Sequence, residues 1–203
     1  MKYVFSIIAL CMFGFLPTFG QGIGGKAGIG GKAGIGGGGG GGGGMTQCGV
    51  TTTTGSPDNF NINSETAVMQ CTTDSHSYTV NATTSVSIYG QPQLVDGNMQ
   101  AAIYAGACSA PGALLCSSGS VAVTTGAMRW VALPLTGCGT LAPSSNYCIA
   151  YNTDTTWRLP ITSSSGYGTY ENNTYGNAWL NPFGTPSGTW GYYAPGYIHV
   201  TAQ

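Results

Sequence analysis

Side chains able to do chemistry are scarce in this sequence. Its two histidines are His76, in the polar stretch Asp74-Ser75-His76-Ser77, and His199, between Ile198 and Val200 in an alternating run. Either imidazole could act as a general base, but no G-x-S-x-G elbow occurs and nothing in the sequence sets a serine beside them. Both read as solvated surface histidines, since function needs a site and not only a residue type. The six acids are Asp58, Glu65, Asp74, Asp96, Asp154 and Glu171. Asp96 is explained by a turn with Gly97, and Asp58 by a Ser-Pro-Asp-Asn loop. Glu65 and Glu171 remain as the carboxylate pair a glycosidase would need, and both fall in loops rich in Asn, Ser and Thr. No metal ligands are assigned: C-x-x-C is absent and the histidines are far apart in sequence. No cofactor is implied. The one concession is a structural Ca²⁺, for which Asp58-Asn59-Phe60-Asn61 offers hard oxygen ligands without matching the EF-hand spacing.

Aromatic residues are a richer resource. From Tyr167 to Tyr197 they crowd the end of the chain, interleaved with Gly, Asn, Ser and Thr. Flat rings beside amides and hydroxyls can stack on sugar rings and bond their hydroxyls without charge. The candidate ligand-binding residues are therefore Tyr170, Tyr175, Trp179 and Trp190. The competing use of these rings is structural, as a satellite cluster that anchors a long loop to the main core.

The elements that must position these residues are strands. Met99, Ala101, Ile103 and Ala105 alternate with Gln100, Ala102 and Tyr104, the two-residue period of a strand with one buried face. Val121 and Val123 form a second run, Met128, Trp130 and Ala132 a third, and Tyr147, Ile149 and Tyr151 a fourth. Further strands cover Ala67 to Thr72, Thr84 to Tyr89 with Val86 and Ile88 inward, Trp157 to Leu159, and Tyr197 to Thr201. Asp96-Gly97 carries a type I′ hairpin signal, and Pro160 ends a strand or marks an edge. The expected fold is all-β, a two-sheet antiparallel β-sandwich of jelly-roll type with about eight to ten strands.

Three segments precede or make up this domain. Residues 1–20 resemble an export signal: Lys2, an apolar run from Val4 to Leu16, and small residues before a cleavage point after Gly20. Residues 21–45 are a glycine-rich linker, Gly22 to Ala27 repeating as Gly28 to Ala33 before a glycine run, and such a chain stays disordered on its own. Its G-x-x-x-x-G-K spacing at Gly20 to Lys26 lacks the following Ser or Thr and any preceding strand, so no phosphate loop is implied. Residues 46–203 form the sandwich domain.

Removal of the signal takes Cys11 with it, and of the seven cysteines leaves Cys48, Cys71, Cys108, Cys116, Cys138 and Cys148. An even set in an exported chain implies disulfides. The simplest pairing joins sequence neighbours: Cys48 with Cys71, Cys108 with Cys116, and Cys138 with Cys148. Charged residues make up 5% of the chain, against roughly 25% in ordinary soluble domains. With only Arg129 and Arg158 after Met45, the domain has no cations to replace the counterions of a nucleic acid. No membrane span remains after signal cleavage. Asn81-Ala82-Thr83 and Asn172-Asn173-Thr174 fit the glycosylation sequon.

The phrases Gln100-Ala101-Ala102-Ile103-Tyr104, Ala110-Pro111-Gly112-Ala113-Leu114-Leu115, Gly119-Ser120-Val121-Ala122-Val123, Trp130-Val131-Ala132-Leu133-Pro134-Leu135 and Asn146-Tyr147-Cys148-Ile149-Ala150-Tyr151 resemble a jelly-roll module of secreted bacterial proteins, carbohydrate-binding-module-like or lectin-like. The resemblance covers residues 80 to 153 and, more loosely, the last strand. It implies a fold and not a disulfide pattern, because the cysteines depart from the generic phrasing. The expectation is a secreted, non-enzymatic module at the cell surface or in the matrix, binding an extracellular glycan or surface polymer through its aromatic loops. The alternatives are a structural protein that self-associates at a surface and a small extracellular hydrolase.

Overall fold

The computed structural model describes residues 44–60 and 64–203. The export signal expected over residues 1–20, the glycine-rich segment up to residue 43, and Asn61 of the candidate Ca²⁺ loop lie outside the described residues.

Fifteen strands follow one another: β1 (Gln47–Val50), β2 (Ser56–Phe60), β3 (Ser64–Thr72), β4 (Tyr78–Val80), β5 (Val86–Pro92), β6 (Gly97–Ala105), β7 (Leu114–Ser118), β8 (Val121–Val123), β9 (Arg129–Leu133), β10 (Leu135–Thr136), β11 (Thr140–Leu141), β12 (Asn146–Thr153), β13 (Trp157–Asn172), β14 (Gly188–Tyr193) and β15 (Gly196–Ala202). Among the described residues there is no helix, and every pairing between strands is antiparallel. The all-β antiparallel expectation is met; the strand number is larger than expected. Two-residue ladders such as β10 and β11 are too short to show a period in sequence.

The strands lie on one hydrogen-bonded path, β10-β7-β6-β12-β3-β13-β5-β15-β4-β11. The 16-residue β13 makes the path continuous. Its start, Trp157–Ile161, pairs with β2 and in part with β5, whereas Thr169–Asn172 pairs with β3. Because the sheet curls, its two halves share one core: Val68, Met69, Met99, Ile103, Ile149 and Tyr151 from one half meet Val86, Ile88, Leu133, Ile198 and Val200 from the other. Met45 packs against this core as well, so the folded chain starts slightly before residue 46. Pro160 has its ladder partner only on β2, across from Pro57, in keeping with an edge position.

The inward sets of β6 and β12 are as expected, but their other face is not solvated. Gln100, Ala102 and Tyr104 of β6 and Ala150 and Asn152 of β12 are buried. A second cluster of Ala67, Ala102, Tyr104, Cys108, Cys148, Ala150 and Phe183 sits on that face, with Trp179 packed against it. The segment between β13 and β14 covers it. Three other local readings change. In β9 the core residues are Val131 and Leu133, so Trp130 points outward, one residue out of phase with the expected inward set. Gly97 does not take a positive φ, and Asp96 instead accepts hydrogen bonds from the amide (2.6 Å) and hydroxyl (3.0 Å) of Thr125, so the type I′ turn is replaced by a side-chain clasp. Asp58 is on β2, not in a loop, paired with Leu159.

Among the described residues three disulfides form: Cys48–Cys71, Cys108–Cys148 and Cys116–Cys138. The first is the expected neighbour pair; the other two replace Cys108–Cys116 and Cys138–Cys148. Face parity explains the exchange. Cys108 and Cys148 belong to the cluster on the outer face, while Cys116 and Cys138 join the inner core, and a bridge cannot pass through a sheet. Three largely buried disulfides suit an oxidising compartment. No helix among the described residues is long and apolar enough to cross a membrane.

Candidate ligand-binding site

The four aromatic residues marked by the sequence do not form one surface. Tyr170 and Trp190 meet, with ring centroids 5.0 Å apart. Trp190 is edge-on to the buried Phe60 at 5.4 Å and packs against the inner core; its indole Nε1 is buried without a partner, so that N–H faces no solvent. Trp179 belongs to the other side of the sheet, against the outer cluster. Tyr175 reaches elsewhere, its hydroxyl donating to Ser120 Oγ at 2.6 Å. The loop carrying Tyr175 and Trp179 is fastened down. Glu65 Oε1 accepts the Leu180 amide at 3.1 Å, Asn152 Nδ2 donates to Asn173 O at 2.9 Å, and the Phe183 amide donates to Gly112 O at 3.0 Å.

A different aromatic row stands on the outer face of β9, β5 and β15. Register creates it: Trp130 is opposite Tyr89, and Tyr197 is opposite Ser87. The centroids of Tyr89 and Trp130 are 5.2 Å apart, those of Trp130 and Tyr197 4.8 Å, and the His199 ring continues the row 4.7 Å beyond Tyr197. All four rings are half-buried, each exposing part of its surface. Gln47 of β1 is opposite His199 and extends the face with an amide. Gly49 is opposite Tyr197, and its φ of +143° together with the close Tyr197 backbone leaves no room for a side chain.

His199 Nε2 lies 2.9 Å from Ser87 Oγ, a serine–histidine contact that sequence could not reveal because the partners are on different strands. Partial burial lowers the His199 pKa and so favours the neutral ring. Ser87 is buried in mid-strand. The pair therefore offers a neutral donor and acceptor at the edge of the aromatic row. His76, by contrast, lies in an exposed loop with Nδ1 3.0 Å from Asp74 Oδ1.

Glu65 and Glu171 are also rearranged relative to the sequence reading. They sit on strands, not loops, as direct partners across β3 and β13. Glu65 is fully buried, and burial raises its pKa, with the nearby Glu171 charge adding to the rise. The Tyr104 hydroxyl stands 2.8 Å from Leu180 O and 3.3 Å from Glu65 Oε1, and burial beside that carboxylate raises its pKa too. No group of three or more His, Cys, Asp or Glu side chains suited to a metal occurs among the described residues. Both sequon asparagines, Asn81 and Asn172, are exposed. The largest exposed aliphatic side chains, Leu94 and Val95, make a two-residue tip smaller than a docking patch.

Comparison with protein families, with characterised proteins and with solved structures finds no match to this chain.

Proposed function

We propose that the chain is a secreted, non-enzymatic β-sandwich module of jelly-roll type that binds extracellular carbohydrate, and that the binding surface is the row Tyr89–Trp130–Tyr197 and not the aromatic loop. One observation carries this reading: three half-exposed rings stand in contact across three neighbouring strands. Rings fixed on strands are preorganised, and they can face sugar rings without losing much freedom on binding. Neutral polar groups flank them, with His199 and Ser87 at one end and Gln47 beyond. Such groups suit hydroxyl recognition, and a chain with 5% charged residues has little competing electrostatic attraction for ionic ligands.

The test is retention on insoluble polysaccharides and a glycan array, with Trp130→Ala and Tyr197→Ala as variants. Each substitution is expected to weaken binding tenfold or more, about 1.4 kcal/mol, while circular dichroism stays unchanged. Tyr175→Ala, away from the row, is expected to bind as the parent does. Binding that survives both row substitutions would reject the site. A parent chain that binds no glycan and sediments as a polymer would reject the function in favour of self-assembly.

A further inference from the structure

Beneath the segment that joins β13 to β14 lies a row of polar side chains on one face of four adjacent strands. Gln100 of β6 is opposite Asn152 of β12. Tyr151 pairs with Thr66, so the next residue, Asn152, stands beside Glu65 of β3, and Glu65 is opposite Glu171 of β13. Side chains directly opposite on one face have Cβ atoms about 5 Å apart.

Three oxygens in this row are buried and accept no hydrogen bond of normal geometry: Glu65 Oε2, Glu171 Oε2 and Asn152 Oδ1; the Asn173 amide approaches the Glu65 carboxylate closely enough to act on its pKa. The other polar atoms of these three side chains are engaged. Glu65 Oε1 accepts from Leu180 N, and Glu171 Oε1 accepts from Ser187 Oγ at 2.8 Å. Asn152 Nδ2 donates to Asn173 O, which fixes the amide orientation and leaves Oδ1 as an acceptor facing away from that bond. Asn152 is fully buried, so its lone oxygen is out of reach of bulk solvent. Opposed like charges destabilise a sheet, and unpaired buried acceptors cost about 1–3 kcal/mol each.

The missing partner is electron-poor; a single buried water has two protons, so it would leave one of the three acceptors unpaired and both carboxylates uncompensated. A single proton shared between the carboxylates would satisfy two of them and leave Asn152 Oδ1 unpaired. A hard divalent cation satisfies all three and neutralises both carboxylates. We propose that Glu65, Glu171 and Asn152 form a site for a hard divalent cation of the Ca²⁺ class. Oxygen-only donors suit Ca²⁺, whereas the absence of sulfur and imidazole ligands disfavours Zn²⁺. Glu171 is only half-buried and neighbours the exposed Asn172 and Ser187, so the Glu171 side gives the ion its route in from solvent. The bound ion would fasten the β13–β14 segment, whose Asn173 and Leu180 already bond to Asn152 and Glu65.

The full-length chain, treated with chelator, is titrated with CaCl₂ and with MgCl₂, followed by thermal unfolding and by sensitised Tb³⁺ luminescence excited through the protein's aromatic rings. Ca²⁺ at about a hundredfold excess over its Kd is expected to raise Tm by roughly 5–10 °C, with Tb³⁺ luminescence that Ca²⁺ displaces. Glu171→Gln, at the half-exposed position, should fold and lose both responses; Asn152→Asp should keep or strengthen them. A parent chain without a saturable Tm shift or luminescence overturns the proposal, as does a Glu171→Gln variant that retains the full response.

Discussion

Replacing Cys108 and Cys148 together by alanine examines the fold at its least local point. The bridge spans a sequence separation of 40, and the loop-closure relation gives about 3.9 kcal/mol of stabilisation at 25 °C for a loop of that length. The same relation gives about 3.4 kcal/mol for the separation of 22 between Cys116 and Cys138. Both sulfurs of the first pair are fully buried, so truncation also removes packing against Ala102, Ala150 and Phe183. The double variant should therefore lose about 4 kcal/mol in urea unfolding at neutral pH, and its Tm should fall by roughly 8–15 °C. Thiol alkylation of the denatured, unreduced variant reports the connectivity independently. With Cys48–Cys71 and Cys116–Cys138 intact, no free thiol is expected among residues 44–203, the alkylated peptides being mapped so that Cys11 is not counted. Pairing of sequence neighbours would instead orphan Cys116 and Cys138, and two alkylated thiols would refute the face-parity reasoning. A stability loss below about 1 kcal/mol would refute the loop-closure magnitude.

Two further perturbations address the two faces of the sheet. Because burial raises the Glu65 pKa, the folded, ion-free protein holds that proton more tightly than the unfolded chain. Stability is then greatest below the ordinary glutamate pKa of about 4.3 and falls as pH rises through the raised folded value; Glu171 is the charged group facing it, with Tyr104, Asn152 and Asn173 as the polar ones. His199, whose pKa is lowered, contributes in the opposite sense over the same range, so the decline is read as the difference between the parent and a Glu65→Gln variant in urea titrations over about pH 4 to 8 in chelator, and added Ca²⁺ should flatten it; identical pH profiles for the two contradict the assignment. On the other face, Gly49→Ala puts a Cβ against the Gly196 carbonyl oxygen and 2.7 Å from Tyr197 Cα, at a φ of +143°. A loss of about 1–3 kcal/mol is expected, together with weaker glycan retention as Tyr197 is displaced. Unchanged stability would show that the local backbone yields without strain.

What could be seen in the sequence was whatever a single strand encodes by itself. The inner faces of β6 and β12 follow from the two-residue period of Met99-Ala101-Ile103 and Tyr147-Ile149-Tyr151, and those side chains are buried as expected. The outer face of the same strands depends on a cover from residues 173–187, and no local pattern announces a distant cover. One signal was present and unused. Cys148 stands between Tyr147 and Ile149, out of phase with the inward set, which assigns it to the outer face and excludes an inner-face partner such as Cys138. Trp130 with Tyr197, and Ser87 with His199, are joined only by the register of β9, β5 and β15, which is a property of the assembled sheet. The loop aromatics are not brought together for a related reason: a ring in a polar loop is equally suited to ligand and to core, and Trp179 and Trp190 pack on opposite faces of the sheet.

The low charge of the chain bears on both faces. After Met45 the cations are Arg129, whose guanidinium bonds Thr124 O at 2.7 Å and Thr124 Oγ1 at 2.8 Å, and Arg158, opposite Asn59 and Gln91 on the half of β13 remote from Glu171. Neither reaches the Glu65–Glu171 pair. In an ordinary domain a lysine or arginine would lie close enough to compensate two opposed carboxylates; among the described residues no cation does so, and a divalent ion from solution would supply the neutralising charge. The same scarcity leaves few charged side chains near the Tyr89–Trp130–Tyr197 face, register placing Arg158 on it opposite Gln91, two residues along β5 from Tyr89, so its affinity must come largely from ring contacts and neutral hydrogen bonds. Binding at the aromatic row should accordingly be insensitive to ionic strength, while occupancy of the carboxylate site should fall as salt screens it.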